Sequence, residues 1–308
     1  MKILVFSCQV GARTASMNVA IRNAVEIAKL LGADRMVWHT DRVTPPDGGY
    51  DAIIVPYFNQ YTNFPLLRSL MSDRQARVVL RTEYEQVNIG SFFDPWIDIA
   101  NFDREGMPNV NLNLLMSRQA NKAIRKSHGV VYYGRMREDR TSVLSKYYAH
   151  LDFLSTSTKN IKKWKSAGIA AKFTDSLSWE HGRETLNAFR YSLYAEDTYT
   201  NGVFNNLANR WYEAGVCNTV VLFDRSCLNT ISRSELSPYM DEVMTYVVDD
   251  GASMRAKIAE MDMDWPAHLT IQKRWRANEP LLKAAMVEQV RVLIAAEVAK
   301  RKEPIFTT

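Results

Sequence analysis

The chain has 308 residues, 46% of them hydrophobic and 24% charged, with a formal net charge of +5 and an isoelectric point near 9.0. That length exceeds what one hydrophobic core usually serves, so two domains are expected, and the near-average composition excludes a disordered or fibrous chain. The positive balance favours an anionic partner, either a phosphorylated ligand or nucleic acid. Cys8, Cys217 and Cys227 are odd in number and share no metal-type spacing, so a disulfide framework is not expected. No run approaches the roughly 18 apolar residues of a membrane span, and Met1–Phe6 reads as a first strand rather than a signal-peptide core. The sequence therefore predicts a soluble intracellular protein.

In chain order, Lys2–Ser7 reads as a strand, and Ala15–Leu31 as a helix. Val19, Ile21, Ala24, Ile27, Ala28 and Leu31 recur there at helical spacing before Gly32. Short apolar runs at Met36–Trp38, Ala52–Pro56 and Ala76–Leu80 continue the series, as expected for a buried parallel sheet. Between Phe92 and Pro108 the pattern loosens and predicts a loop-rich region. A second series restarts with a strand at Gly129–Tyr133, a helix from about Thr141 to Phe153 and a basic helix around Asn160–Ser166. Further strands are expected at Ala171–Phe173, Tyr191–Ala195, Thr219–Phe223 and Thr245–Val248. Pro280–Lys300 closes the chain as one long amphipathic helix, placed to return to the first domain. The two halves share too little identity to form an internal repeat. The predicted division is 1–125, 126–275 and a terminal segment 276–308, two doubly wound α/β domains being the architecture that two strand–helix series imply.

Three constellations can carry chemistry. In Tyr132-Tyr133-Gly134-Arg135-Met136-Arg137-Glu138-Asp139-Arg140, a strand ends in glycine and feeds a helix. Backbone N–H groups and arginine forks there suit a diphosphate, although pairing with Glu138 and Asp139 in a solvated loop is an equal alternative. In Asn209-Arg210-Trp211-Tyr212-Glu213, Arg210 and Glu213 share one helical face. They can serve a phosphate and a ribose, or simply form a surface ion pair, and spacing alone favours the pair. Glu83, in Arg81-Thr82-Glu83-Tyr84-Glu85, follows the fourth strand, where ligands of open α/β sheets bind and a general base can stand. Taken by itself, Glu83 is better explained as a helix cap or a solvent-facing carboxylate.

Taken together, these residues resemble the T-even phage DNA β-glucosyltransferases, enzymes of the GT-B class that glycosylate hydroxymethylcytosine in DNA. The densest likeness runs from Asp197 to Asp224, through the Arg-x-x-Glu helix into an apolar strand closing in aspartate. The resemblance implies two Rossmann-like domains facing a cleft, with the terminal helix crossing back to the first. It makes 1–125 the acceptor domain and 126–275 the nucleotide-sugar domain. It casts Glu83 as catalytic base where the family has aspartate, and Gly134, Arg137, Arg140, Tyr199, Arg210, Glu213 and Leu177 as donor-binding residues. It also implies a UDP-linked sugar donor, with Mg2+ or Mn2+ as a companion ion, and double-stranded DNA bearing hydroxymethylated pyrimidines as acceptor. The setting would be the cytoplasm of an infected bacterium, and the protein a monomer. The phosphate loop is one residue shorter than the family's, so Arg137 is matched more securely than Arg140.

The five histidines have no metal spacing, and no metal ligand is assigned. Basic groups at Lys122/Arg125/Lys126, Lys159/Lys162/Lys163/Lys165 and Lys273/Arg274/Arg276 can meet DNA phosphates, or be solvated faces. Trp96, Trp164, Trp179 and Trp265 can contact an extruded base, or be core. Two other functions stay open: a glycosyltransferase acting on a protein, lipid or small glycan, and a silent nucleotide- or DNA-binding module.

Overall fold

The computed structural model of the chain describes residues 1–8, 15–37, 49–56, 62–72, 74–81, 97–100, 108–117, 125–175 and 186–302. It divides into two compact units, Met1–Leu115 with Pro280–Thr308, and Met116–Glu279.

The first unit is built on a parallel sheet of β1 (Ile3–Ser7), β2 (Asp34–Val37), β3 (Ala52–Val55), β4 (Ala76–Arg81) and β5 (Ile97–Ala100), in the order β2-β1-β3-β4-β5. Every residue of β1 and β3 is buried, as a sheet covered on both faces requires. Leu4, Phe6, Ile53, Val55 and Val79 form a core with Leu67 of the helix Phe64–Ser69, each large aliphatic side chain contributing about 1.5–3 kcal/mol on burial. The helix Ala15–Leu31 follows β1 as its spacing predicted. β5 departs from the expected loop-rich region. Its sequence, Ile97-Asp98-Ile99-Ala100, has an acid in a four-residue run, which hides the strand. The pairing with Val78–Arg81 of β4 is nevertheless parallel and in register.

The terminal helix Glu279–Lys302 belongs to this unit from Pro280 onward. It buries Met286, Val287, Val290, Ile294 and Val298, a stripe at helical spacing. Lys283 Nζ lies 2.6 Å from Glu26 Oε1, and Arg291 Nη2 donates to the Leu30 carbonyl at 2.8 Å. Both partners sit on the helix Ala15–Leu31, so the end of the chain is held against its beginning.

The second unit contains β6 (His128–Tyr133), β7 (Phe153–Ser155), β8 (Phe173–Thr174), β9 (Phe189–Tyr194), β10 (Val220–Asp224) and β11 (Val247–Val248), again parallel, in the order β11-β10-β9-β6-β7-β8. The expected helix from Thr141 to Phe153 is shorter than predicted. Helical turns end at Leu144, a 3-10 turn occupies Tyr148–His150, and Phe153 already opens β7. A three-residue strand gives too few periods to be told from the end of a helix. Trp164, Trp211, Tyr132, Tyr191, Tyr194 and Phe223 are fully buried and dominate this core.

β11 is so short that it pairs only with Phe223 and Asp224 of β10. Nearer the start of β10, the side chain of Gln272 takes the place of a strand. Its Oε1 accepts from Val221 N and its Nε2 donates to Val221 O, both at 2.8 Å, and Gln272 is fully buried. Gln272→Ala leaves a buried donor and a buried acceptor unpaired, at about 1–3 kcal/mol each. The expected outcome in urea denaturation is a loss of about 2–6 kcal/mol; a loss below about 1 kcal/mol would show that β10 does not depend on the amide.

Candidate functional site

In the second unit the chain lays down β6, moves outward through β7 and β8, then returns to place β9 on the other side of β6. The strand order therefore reverses between β6 and β9, and open α/β sheets bind ligands beyond the carboxyl ends of their strands at such a point. β6 leaves that edge as Tyr133-Gly134, and β9 leaves it as Ala195-Glu196-Asp197.

Three predicted arginines converge there. Arg210, in the first turn of the helix Asn209–Val216, donates from Nε to the Tyr133 carbonyl at 2.8 Å and pairs through Nη1 with Glu196 Oε1. Its guanidinium lies over the rings of Tyr132 and Tyr133, 5.2 and 5.7 Å from their centroids. Arg140, in the helix Glu138–Leu144, donates from Nη2 to Glu196 Oε2 at 2.6 Å and lies 2.9 Å from Asp197 Oδ2. Arg137, immediately before that helix, reaches Asp197 Oδ2 from Nη1 at 3.4 Å. Gly134 is glycine for a steric reason: a Cβ there would stand 2.4 Å from Arg210 Nη2.

Sequence reasoning missed the two acids that organise this cluster. Glu196 bridges Arg140 and Arg210. Asp197 caps the helix Thr198–Val203, its Oδ1 accepting from Thr200 N at 2.7 Å while Oδ2 meets the two arginines. The available signal was the run Glu196-Asp197-Thr198 at a strand's carboxyl end, an acid pair followed by a helix with aspartate as N-cap. Burial is the largest single effect and works against the Arg210 and Arg140 charges, but Glu196 and Tyr132 together, with Tyr133 for Arg210 and Asp197 for Arg140, outweigh it and hold both guanidiniums above their ordinary values. Burial likewise works to raise the Asp197 carboxyl. Hydrogen bonds from Thr200 and the charges of Arg140 and Arg137 overcome that and hold it below its ordinary value. Three guanidiniums thus share the carboxylates of Glu196 and Asp197. The most exposed of the three arginines is Arg137, whose side chain is 33% accessible against 12% for Arg210 and 10% for Arg140.

Glu213 is buried one turn beyond Arg210, beside the Tyr133 hydroxyl, which donates to the Arg210 carbonyl at 3.2 Å. Arg210 therefore takes Glu196 as an acidic partner from fourteen residues upstream, a pairing that helix spacing alone does not suggest. Tyr199 lies in the helix Thr198–Val203. Glu83 and Leu177 lie outside the described residues, as do Lys122, Trp96 and Trp179. Trp164 is wholly buried core, which removes it as a base-contacting residue. Lys126 is turned to the interior: its amine donates to the Cys217 carbonyl at 2.6 Å, and burial pushes it down to about 8. Arg276 is stacked on Trp211 at 3.5 Å and buried. Among the described residues no group of three His, Cys, Asp or Glu could hold a metal ion, and no described helix is long and apolar enough to cross a membrane.

Glu196→Ala strands two buried guanidiniums, and breaking such a pairing costs about 3–5 kcal/mol; a chemical-denaturation loss below about 1 kcal/mol would contradict the bridging role. Asp197 gives a pH signature. A carboxyl held below its unfolded value of 3.8 contributes stability that is complete above that value and fades as pH falls through the folded value. Asp197→Asn should therefore flatten the fall of stability below about pH 4. An acid limb as steep as in the unaltered protein would refute this.

No family profile matches the sequence, and no curated protein matches it. Solved structures do. A T4 phage β-glucosyltransferase superposes with a TM-score of 0.64 at 16% identity, covering 98% of this chain and 99% of the other. The T4 phage enzyme in complex with UDP-glucose gives 0.62 at 14% identity, with the same coverage. An α-glucosyltransferase in complex with UDP-glucose and DNA containing an abasic site gives 0.62 at 11% identity, covering 96% and 99%. The likeness runs over nearly the whole of each chain, and the fold is that of the GT-B glucosyltransferases.

Proposed function

We propose that this protein transfers a sugar from a nucleoside diphosphate sugar, UDP-linked, to the hydroxyl of a 5-hydroxymethylpyrimidine in DNA, with inversion at the anomeric carbon. The observation that carries the reading is the convergence of Arg137, Arg140 and Arg210 at the switch point of the second sheet, with Arg137 the most exposed of the three. Guanidiniums gathered beside backbone at a strand end, one of them accessible to solvent, suit a phosphorylated ligand. Its fold is the one in which UDP-glucose is bound by the T4 phage enzyme, and DNA by the α-glucosyltransferase.

In this reading 126–275 is the nucleotide-sugar domain and 1–125 the acceptor domain. Arg137 contacts the diphosphate directly, while Arg210 and Arg140 set the positive field behind it. Glu213 accepts from the ribose hydroxyls, and Gly134, Tyr199 and Leu177 line the donor. Glu83 takes the proton from the acceptor hydroxyl. The freed oxygen attacks the anomeric carbon, and the bond to the diphosphate oxygen breaks with its electron pair. The charge gathered on the departing UDP is met by the arginines, which is where preorganised electrostatics lowers a barrier most. A base within a duplex must be flipped out first, at a cost of a few kcal/mol. A T4 phage enzyme of this fold is known in complex with UDP and Mn2+, so Mg2+ or Mn2+ would be a companion ion of the donor.

Two experiments test this. Arg137→Ala, the least buried of the three arginines, should weaken UDP binding by about 10–100-fold in calorimetry with little change in stability, as expected for one charge-assisted contact. Unchanged affinity would remove the arginine cluster as the donor site. Glu83→Gln should lower turnover by about 10²–10⁴ while UDP affinity holds, the usual range for a general base. Near-normal turnover would transfer the role to another carboxylate.

A further inference from the structure

The three basic groups read from the sequence have separate fates. Lys126 and Arg276 are tied into the interior of the second unit. The Lys159 group stays outside. Lys159, Lys162, Lys163 and Lys165 on the helix Thr158–Ser166, together with Lys172 just before β8, are all exposed. No Asp or Glu lies between Asp152 and Asp175 to balance them. None of the five amines enters an ion pair among the described residues. Lys172 rests over the Phe153 ring at 4.3 Å, and Lys165 over Phe173 at 5.8 Å. Their stems thus follow the sheet edge while the charged ends remain in water.

This arrangement works against the helix that bears it. Lys159 with Lys162, Lys159 with Lys163, and Lys162 with Lys165 are like charges at three- and four-residue spacing, each unfavourable for a helix. Lys159 also occupies the first turn, where the dipole disfavours a cation. A face that lowers local stability and has no internal partner calls for an external one.

The chemistry of that face narrows the partner. A membrane-surface helix needs exposed apolar side chains to insert. Here the tryptophan of the helix, Trp164, is wholly buried, so the exposed surface offers charge without insertion. Position narrows it further. The segment leading into this helix is hydrogen-bonded to the donor-site turn: Gly134 N donates to Ser155 O at 3.1 Å, and the Thr156 hydroxyl donates to Gly134 O at 2.7 Å. The lysine face therefore begins beside the arginine cluster, on the same unit.

We infer that the lysine face of the helix Thr158–Ser166, extended by Lys172, is a docking surface for the phosphate backbone of double-stranded DNA. From Lys159 to Lys165 the helix rises about 9 Å, enough to follow two or three phosphates of one strand at about 3.4 Å of axial rise each. The face carries no base-reading geometry. It holds the duplex next to the donor site irrespective of sequence. The inference rests on the proposed DNA acceptor, yet it reads out separately from sugar transfer.

The test is fluorescence anisotropy of a hydroxymethylated duplex on the full chain at several salt concentrations. Lys159, Lys162, Lys163 and Lys165 are changed together to Gln. A control with the same charge change carries Lys29→Gln, Lys146→Gln, Lys257→Gln and Lys300→Gln. Each phosphate contact contributes about 0.9 to the slope of log affinity against log salt. The helix variant should therefore lose about 2–3 from that slope, and bind at least about tenfold more weakly near 0.15 M salt. The control should lose far less, and UDP affinity should be unchanged in both. A slope in the helix variant equal to that of the unaltered protein would overturn the inference, as would an equal loss in the control. Loss of binding to anionic vesicles with duplex binding intact would overturn it in favour of a lipid surface. Lysine-dependent duplex binding without sugar transfer would uphold this surface and count against the proposed reaction instead.

Discussion

One carboxylate holds together the chemistry at the carboxyl edge of the second sheet. Glu196 leaves β9 and takes Arg140 on one oxygen and Arg210 on the other. Those arginines come from two different helices, one following β6 and one following β9. Removing a guanidinium from water is costly unless its hydrogen bonds are satisfied, and here a single acid serves two of them. Asp197 extends the arrangement by capping one helix while facing Arg137 and Arg140. The result is a group of three guanidiniums held by two acids at the ends of regular elements.

The parallel topology explains why this cluster stands where it does. β6 is laid down first and flanked on both sides, so its carboxyl end opens where the chain has turned in opposite directions. The first unit has the same logic, with β1 laid down first and β2 and β3 on either side of it. In the second unit, Tyr133 and Gly134 bring backbone to that opening, and absence of a Cβ at Gly134 lets Arg210 approach. Sequence, turn and charge cluster are thus one construction. The lysine helix is joined to the same turn through Thr156 and Ser155.

Much of the fold was legible in the sequence, because buried parallel strands read as apolar runs and amphipathic helices as repeats. Ala15–Leu31 and the terminal helix emerge from spacing alone. What escaped did so for physical reasons. β5 carries Asp98 in a four-residue strand, and β7 has three residues, so neither shows a period. Arg137, Arg140 and Arg210 were singled out because a strand–glycine–helix passage and an Arg-x-x-Glu helix have recognisable uses, and the structure brings the three together. Glu196 was not, since its importance lies in two partners 56 and 14 residues away. Similarly, Lys126 reads as part of a basic surface group, and only the packing reveals that its amine satisfies the Cys217 carbonyl. Patterns along the chain announce elements and single motifs. Pairing across strand ends has no local signature.

The central claim is a transfer reaction, and its product tests it most directly. The protein is incubated with UDP-linked sugars and either hydroxymethylated or plain double-stranded DNA, which is then digested to nucleosides for mass analysis. The account predicts a new nucleoside heavier by one sugar residue in the hydroxymethylated DNA alone, with the inverted anomeric configuration. Hydroxymethylated DNA recovered without sugar for every UDP-linked donor, while a protein or glycan acceptor is modified, would contradict it.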